Sequence, residues 1–415
     1  STLGSAVQVS WAGPGGAPPA TSEHPFNVTI RNIRLGTMTK AGSSFDVAAI
    51  DIVGAYNVLV ENVDCERWAG DALVQVRVGG FGATVCPASI AEMLFRNIVV
   101  RNVTAQQCDQ HCVLINGKAN DASGTPSYSV PCLIQNVKAA GIGSTSTYSG
   151  IRVLNAYDVT IENCEMEEFD RGVYIEENTK RITVRQGRYF QNNESGVVIV
   201  HGTTLPDTII VENVESYLNG QDGGNHAGFY IESCNRVYLK DCIAGDASSE
   251  TTQAYGFRVL SSAVDTKFSG VNRVRNIKGG GTKYLFAAAV YGDRQFNGGS
   301  NTDLSTGSTE FGPLVGVGLN ASEVNVSVLV ATNLVLTNFS TKLSVAPGAS
   351  KSRALRIVDD GAATALEVSI ANTDTTGSDF DAVEVAAGSE LSVQCIPTST
   401  PAAARGKWSC EAFQG

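Results

Sequence analysis

A short pattern of apolar and polar positions returns along most of this chain. Val28–Ile33, Val58–Val63, Ile98–Val103 and Val159–Cys164 share the order apolar, any, apolar, charged, Asn, apolar. Leu133–Val137, Ile209–Val214, Val237–Cys242 and Val274–Ile277 continue it, and Ile182–Gly187 is a degenerate copy. The polar position falls at 32, 62, 102, 136, 163, 186, 213, 241 and 276. That is a period of about 30 residues with loops of variable length between copies, the mark of stacked structural repeats. A second mark is Gly150, Gly172, Gly196, Gly228 and Gly256, each opening an alternating run such as Gly172-Val173-Tyr174-Ile175. Alternation of period two predicts strands, so each repeat holds at least two. No helical periodicity separates them, and neither a leucine-rich nor a propeller signature occurs. The pattern predicts the rungs of a right-handed parallel β-helix, with coils over about residues 26–290 inside a domain 1–295.

The residues before the ladder position are Arg31, Glu61, Arg101, Gln135, Glu162, Arg185, Glu212, Lys240 and Arg275. Stacked at the ~4.8 Å spacing of neighbouring strands, they mostly alternate in sign. Such pairs hold register, so the row reads as structural.

Beyond the repeats the pattern changes. Residues 296–312, rich in Gly, Ser, Thr and Asn, read as a linker. Short alternating segments follow at Val324–Leu329, Leu343–Val345, Leu355–Val358, Leu366–Ile370, Val383–Val385 and Leu391–Cys395. Gly, Pro and Asp turns separate them at β-sandwich spacing. The expected fold is therefore all-β: a right-handed parallel β-helix followed by a jelly-roll-like C-terminal β-sandwich over 313–415.

Composition narrows the function. The 415 residues carry a formal net charge of −11, which argues against a nucleic-acid partner. No apolar run approaches the ~18–20 residues needed to span a bilayer, so no membrane insertion is expected. Ser1-Thr2-Leu3-Gly4 offers neither a basic region nor an initiating Met, so the chain reads as processed or truncated. Of the ten Cys, Cys164 and Cys242 take positions held elsewhere by Val and Ile and read as small buried hydrophobes. Cys108 and Cys112 flank Asp109 and His111, but no second pair with zinc spacing exists. Neither a metal nor another cofactor is called for. Cys395 and Cys410 fall on segments expected to be adjacent, where a disulfide is an open reading. Scattered Cys suit assembly in a reducing cell. The sequons at Asn27, Asn102, Asn193, Asn320, Asn325 and Asn338 carry little weight in so Ser/Thr/Asn-rich a chain.

The Gly marks index one outward face. Two residues after each Gly stand Arg152, Tyr174, Val198, Tyr230 and Arg258, and four after stand Leu154, Glu176, Val200, Glu232 and Leu260. Loops entering those strands add Asp170 and Arg171, then Glu194, then Asp222 and His226. Glu176, Glu232, Glu194, Asp170 and His226 are the candidate acids and bases. Arg152, Tyr174, Tyr230, Arg171, Asp222 and Arg258 are the candidate sugar contacts. Two coils between Glu176 and Glu232 correspond to about 10 Å, near the upper end of the spacing for inverting glycoside hydrolysis, whereas Glu194 or Asp170, one coil closer, suits a tighter pair. Any single one of these side chains is more often a solvated residue on an exposed sheet than a functional one. His226 can be a surface group, and His201 a strand terminator.

The Asn positions resemble the asparagine ladder of the pectate-lyase-like β-helix superfamily, in which amides stack from coil to coil. Ala346-Pro347-Gly348, Thr375–Asp379, Ala386–Ser389 and Pro397–Pro401 resemble the turns of distal β-sandwich modules in phage tail fibres and tailspikes. A β-helix followed by a compact β-module is similar to many tailspikes, which are homotrimers. The resemblance implies a homotrimer on a virion or in the extracellular space, with a bacterial surface polysaccharide bound and, if cleaved, hydrolysed rather than eliminated. Two other readings stay open: a secreted monomeric lyase or hydrolase with a carbohydrate-binding module, and an adhesive β-helix without catalysis. The polygalacturonase motif series is absent. Tyr255-Gly256-Phe257 matches the start of an alginate-epimerase motif, but Arg258 stands where Asp-Pro-His would follow. There is no clear acidic cluster with a basic partner for a calcium-dependent pectate lyase. No catalytic set transfers residue by residue.

Overall fold

The computed structural model describes residues 6–10, 26–38, 48–77, 97–117, 128–142, 148–200, 205–245, 252–278 and 281–415. His201 and Cys86 lie outside the described residues. The chain forms two compact units, one of residues 1–238, 242–263 and 274–283, the other of 239–241, 264–273 and 284–415.

In the first unit, strands from successive repeats pair in parallel with one continuous register. One row runs Thr29, Leu59, Val99, Leu133, Thr160, Thr183, Ile210. A second row runs Asp51, Gln75, Leu114, Arg152, Tyr174, Val198, Tyr230. This is a parallel β-helix, closed around the apolar side chains of every repeat: Val58, Val60, Ile98, Val100, Ile134, Ile161, Ile182, Val184, Ile209 and Val211 are all at most 1% exposed.

The ladder position explains how each repeat turns its corner. Asn32, Asn62, Asn102, Asn136, Asn163, Gln186, Asn213 and Asp241 all take the left-handed conformation, with φ of 50–58°. Asn and Asp tolerate that region better than other side chains with a Cβ. The inserted left-handed residue puts two consecutive side chains outside, so that Val60 and Val63, not Val60 and Asn62, face the core. Asn276 does not adopt this conformation. The amides do stack, Asn62 Nδ2 donating to Asn32 (3.1 Å), Asn102 to Asn62 (3.2 Å), Asn136 to Asn102 (3.0 Å) and Asn163 to Asn136 (2.7 Å), but on the outer surface. A parallel outer row five residues earlier, Asn27, Asn57 and Asn97, is also left-handed and stacked. In the charged row, Arg101 pairs with Glu61 at 2.8 Å and Arg185 with Glu162 at 3.2 Å.

The buried amide ladder lies elsewhere. Asn192, Asn219 and Gln253 are fully buried. Asn192 Nδ2 donates to Asn219 Oδ1 (2.9 Å) and Asn219 Nδ2 to Gln253 Oε1 (3.2 Å). The same amides satisfy backbone: Asn192 Oδ1 accepts from Phe169 N–H and Asn219 Oδ1 from Asn192 N–H, both at 3.2 Å. The Gly marks stand where the interior crowds the strand. A Cβ on Gly196 would sit 1.9 Å from Ser216 Oγ.

The second unit is a β-sandwich. A six-stranded sheet includes Arg294–Gly299, Leu334–Leu343 and Gly406–Gln414, and a five-stranded sheet includes Glu310–Pro313, Gly348–Asp359, Ala362–Asn372 and Glu390–Thr398. Leu336, Phe339, Trp408 and Ala412 from one sheet and Leu355, Ile357, Val368 and Val393 from the other share one core. The segment 296–312 is not a bare linker. Arg294–Gly299 pairs with Gly406–Gln414, and Glu310–Pro313 with Glu390–Thr398. Its glycines mislead a sequence reading because two of them exist for packing: a Cβ on Gly298 would meet Trp408 Nε1 at 2.2 Å, and one on Gly312 would meet Trp408 Cζ2 at 2.5 Å. Cys395 and Cys410 are free thiols on strands of different sheets, so the expected adjacency does not hold.

Candidate functional site

The parallel register stacks the Gly-marked strands Ser149–Leu154, Arg171–Glu176, Val197–Ile199 and Ala227–Lys240 so that alternate residues face outward. Ile175, Ile199 and Ile231 fill the interior, while Tyr174, Val198 and Tyr230 form an outward row. A cleft of about 370 Å³ opens over this row. Arg171, Tyr174, Val198, Tyr230 and Glu232 line it along the strands with Val200 just past one of them, and Glu194, Ser195, Asn225, His226 and Arg258 line it from neighbouring loops and the next coil.

Two matching clusters flank the Val198 and Val200 floor. In Gly172-Val173-Tyr174-Ile175-Glu176 the Tyr174 hydroxyl stands beside Glu176, while Arg171 and Arg152 stack on its ring at 4.6 and 5.7 Å. In Gly228-Phe229-Tyr230-Ile231-Glu232 the Tyr230 hydroxyl stands beside Glu232, with Arg258 at 5.1 Å from its ring. Burial, reinforced by Glu176, pushes the Tyr174 phenol up to about 12, so it stays a donor at all ordinary pH. Burial and Glu232 raise Tyr230 likewise.

The acids separate by environment. Glu176 is buried and held by Arg152, whose Nε donates to Glu176 Oε1 at 2.5 Å; it is not part of the cleft lining. Glu194 lines the cleft and pairs with Arg171 Nη2 at 2.6 Å, and the same nitrogen lies 3.6 Å from Asp170. Asp170 stands behind Glu194, one coil away, since Glu194 N–H donates to Asp170 O at 2.8 Å. Burial first, then the neighbouring Glu194, pushes the Asp170 carboxyl up to about 6, against the pull of Arg171.

The loop before Ala227 supplies the rim. Leu218, Gly220 and Gly223 are left-handed, and Gly224 N–H donates to Asp222 Oδ1 at 2.8 Å. His226 Nε2 lies 3.0 Å from Asp222 Oδ1 and 3.1 Å from Oδ2. The ring also lies close over Gly224, where a Cβ would stand 2.2 Å from His226 Nε2 and displace it.

Seven expected residues, Glu194, Glu232, His226, Tyr174, Tyr230, Arg171 and Arg258, therefore line one cleft. Asp170, Asp222, Glu176 and Arg152 sit immediately behind it as partners of lining side chains. Sequence reasoning passed over Ser195, whose buried Oγ accepts from Ala227 N–H at 3.1 Å and ties adjacent coils under Glu194. It also passed over the Asn192–Asn219 ladder, although those two residues share the 27-residue spacing of the ladder positions 186 and 213. Asp109 turns outward to Arg67 at 3.1 Å, while Cys108 and Cys112 are buried. Burial lowers His111 to about 4.

Residues 91–273 match a family model described as right handed beta helix region. The repeat unit is thus a right-handed parallel β-helix. No curated protein matches the chain in sequence. Among solved structures, the chain is similar to the tailspike protein of E. coli bacteriophage HK620 in complex with a pentasaccharide. That match has 11% identity and a TM-score of 0.34, and covers 89% of this chain and 65% of that one. It is also similar to the Dettilon tailspike protein, at 10% identity and a TM-score of 0.28, over 93% of this chain and 86% of that one. For the enzymatically active domain of bacteriophage CBA120 tailspike protein 4 the identity is 11% and the TM-score 0.23, over 85% of this chain and 64% of that one. The chain thus spans just under two thirds of the HK620 protein's length.

Proposed function

We propose that this chain is a tailspike-like protein that binds a bacterial surface polysaccharide along the outward face of its β-helix and hydrolyses it in the cleft. It would act as a homotrimer on a virion or in the extracellular space. The observation that carries the reading is a single cleft holding two tyrosines, two arginines and two carboxylates over an apolar Val198–Val200 floor. Aromatic rings and an apolar floor fit sugar faces, and charged groups fit hydroxyls. In this reading Glu194, backed by Asp170, gives a proton to the glycosidic oxygen as the C–O bond breaks. Glu232, beside Tyr230, is the carboxylate that activates water or attacks the anomeric carbon. Asp170, whose own carboxyl stays protonated up to about pH 6, and Arg171, which pairs with Glu194, are positioning residues.

The test is release of reducing ends from purified capsular and lipopolysaccharide O-chain polymers, with binding measured in parallel. Glu194→Gln and Glu232→Gln should each lower the cleavage rate by ~10²-fold or more while leaving binding within a few-fold. Wild-type cleavage by both variants overturns the catalytic assignment. Binding without cleavage by the wild-type chain makes it an adhesin, and failure to bind any such polymer overturns the reading altogether.

A further inference from the structure

The charges on the glycan face are not evenly compensated. Of its three central arginines, Arg152 is neutralised by Glu176 and Arg171 by Glu194 and Asp170. Arg258 lines the same cleft, yet among the described residues it has no carboxylate within ion-pair distance. Its guanidinium lies 5.1 Å from the rings of both Tyr230 and Tyr255, its Nη1 donates to the Asn225 carbonyl at 3.2 Å, and its buried Nε has no hydrogen-bond partner. A second cation stands at the same rim: Lys278 Nζ donates to the Gly223 carbonyl at 3.1 Å, in the loop that Arg258 also holds. In a chain of net charge −11, two cations held at one rim by rings and carbonyls alone mark a place for an anion.

The geometry points to an anionic sugar as the residue bound at the Arg258 end of the cleft, its uronate carboxylate or phosphate ester facing Arg258 and Lys278. Resting on the glycan-binding reading above, this inference adds the chemical class of the repeat unit. Tyr230 and Tyr255 hold the guanidinium plane fixed, as a planar fork requires to meet two oxygens at once. The site also gives the substrate a direction, because at the opposite end of the cleft Arg171 already faces two carboxylates, Glu194 and Asp170.

The test uses the full chain and a panel of purified capsular polysaccharides: polymers carrying uronic acids, polymers carrying phosphodiesters, neutral polymers, and the uronic-acid polymers after chemical reduction of their carboxylates to alcohols. The wild-type chain should bind anionic members, and carboxyl reduction should weaken binding by about tenfold or more, as expected for a charge-assisted hydrogen bond. Arg258→Gln should cost a similar factor on the anionic polymer and nothing on its reduced form, and Lys278→Met a smaller factor in the same direction. Equal response of uronate and phosphodiester polymers identifies the anion generally, and a preference for one identifies its source. A wild-type preference for neutral polymers overturns this inference while leaving glycan binding intact. So does an Arg258→Gln loss that is equal on anionic and reduced polymers, which would leave Arg258 as a loop support only. Absence of binding to every polymer removes the underlying reading itself.

Discussion

Replacing Asn219 with Ala tests the physical basis of the site most sharply, because that one amide links three successive coils beneath it. Its Oδ1 accepts from Asn192 N–H at 3.2 Å and from Asn192 Nδ2 at 2.9 Å. Its Nδ2 donates to Tyr189 O at 3.2 Å, Ser216 Oγ at 3.1 Å and Gln253 Oε1 at 3.2 Å. All of it is fully buried, beyond the reach of water. Truncation leaves the Asn192 backbone N–H and the Gln253 carbonyl oxygen without partners. Asn192 Nδ2 keeps Met166 O at 3.5 Å, and Ser216 Oγ keeps Gly228 O at 2.8 Å. Two orphaned buried groups at ~1–3 kcal/mol each give a loss of about 2–6 kcal/mol, a large share of the ~5–15 kcal/mol of a typical domain. Asn102→Gly is the matched control: glycine keeps the left-handed corner, only solvent-exposed amide bonds are lost, and the expected cost is below ~1 kcal/mol. Equilibrium urea unfolding followed by far-ultraviolet circular dichroism reads both variants. Local hydrogen exchange at residues 192–220 then reports whether the loss sits in those coils. If Asn219→Ala costs no more than Asn102→Gly, the buried ladder does not hold these coils together and the reasoning fails.

Other consequences are equally open to measurement. The raised Asp170 carboxyl means that the folded chain binds this proton more tightly than the unfolded chain, whose value is the ordinary 3.8. Its contribution to stability is therefore complete below about pH 4 and is lost as pH rises through about 6; Asp170→Asn should flatten that slope in urea titrations between pH 4 and 7, and an unchanged slope would contradict it. Gly224→Ala forces a methyl group into His226 Nε2 and within 3.1 Å of Asp222 Oδ1, so it should open the rim and weaken polysaccharide binding without shifting the unfolding midpoint appreciably. Gly298→Ala drives a Cβ between Trp408 Nε1 and Pro313 O, which are hydrogen-bonded at 2.9 Å, and should lower sandwich stability by ~1–3 kcal/mol. Cys65, Cys132, Cys164 and Cys410 are buried thiols pushed up to about 12, so they should resist alkylation at pH 8 in the native chain and react on unfolding.

The fold was readable because its two periods are written in different residues. The Asn, Gln and Asp at 32 to 241 mark a backbone corner that few other side chains adopt cheaply, and the Gly marks stand where the interior leaves no room for a Cβ. That is a stereochemical requirement, so it survives in sequence however far the loops diverge. The outward row followed from alternation alone, which is why Tyr174, Val198 and Tyr230 were placed correctly beside one another. What could not be read was which carboxylates are compensated. Nothing in the spacing distinguishes Glu176, locked by Arg152, from Glu232, which lines the cleft beside Tyr230, because both follow Tyr-Ile. That difference depends on what the adjacent coil presents, Arg152 below one and Arg258 above the other. The inner ladder was missed because Asn192 and Asn219 sit in segments that otherwise look like loops. Gly-rich composition likewise concealed the strands at 294–299 and 310–313, whose glycines make room for Trp408.

The central claim is that the cleft between the two Tyr-Ile-Glu clusters is where a polysaccharide is held and cut. The most direct test is a crystal structure or protection experiment on Glu194→Gln soaked with the oligosaccharide products of the wild-type reaction. The account predicts sugar rings packed over Val198 and Val200 between Tyr174 and Tyr230, with Glu232 beside an anomeric carbon. Oligosaccharide bound on another face of the β-helix, or only on the C-terminal sandwich, would contradict it.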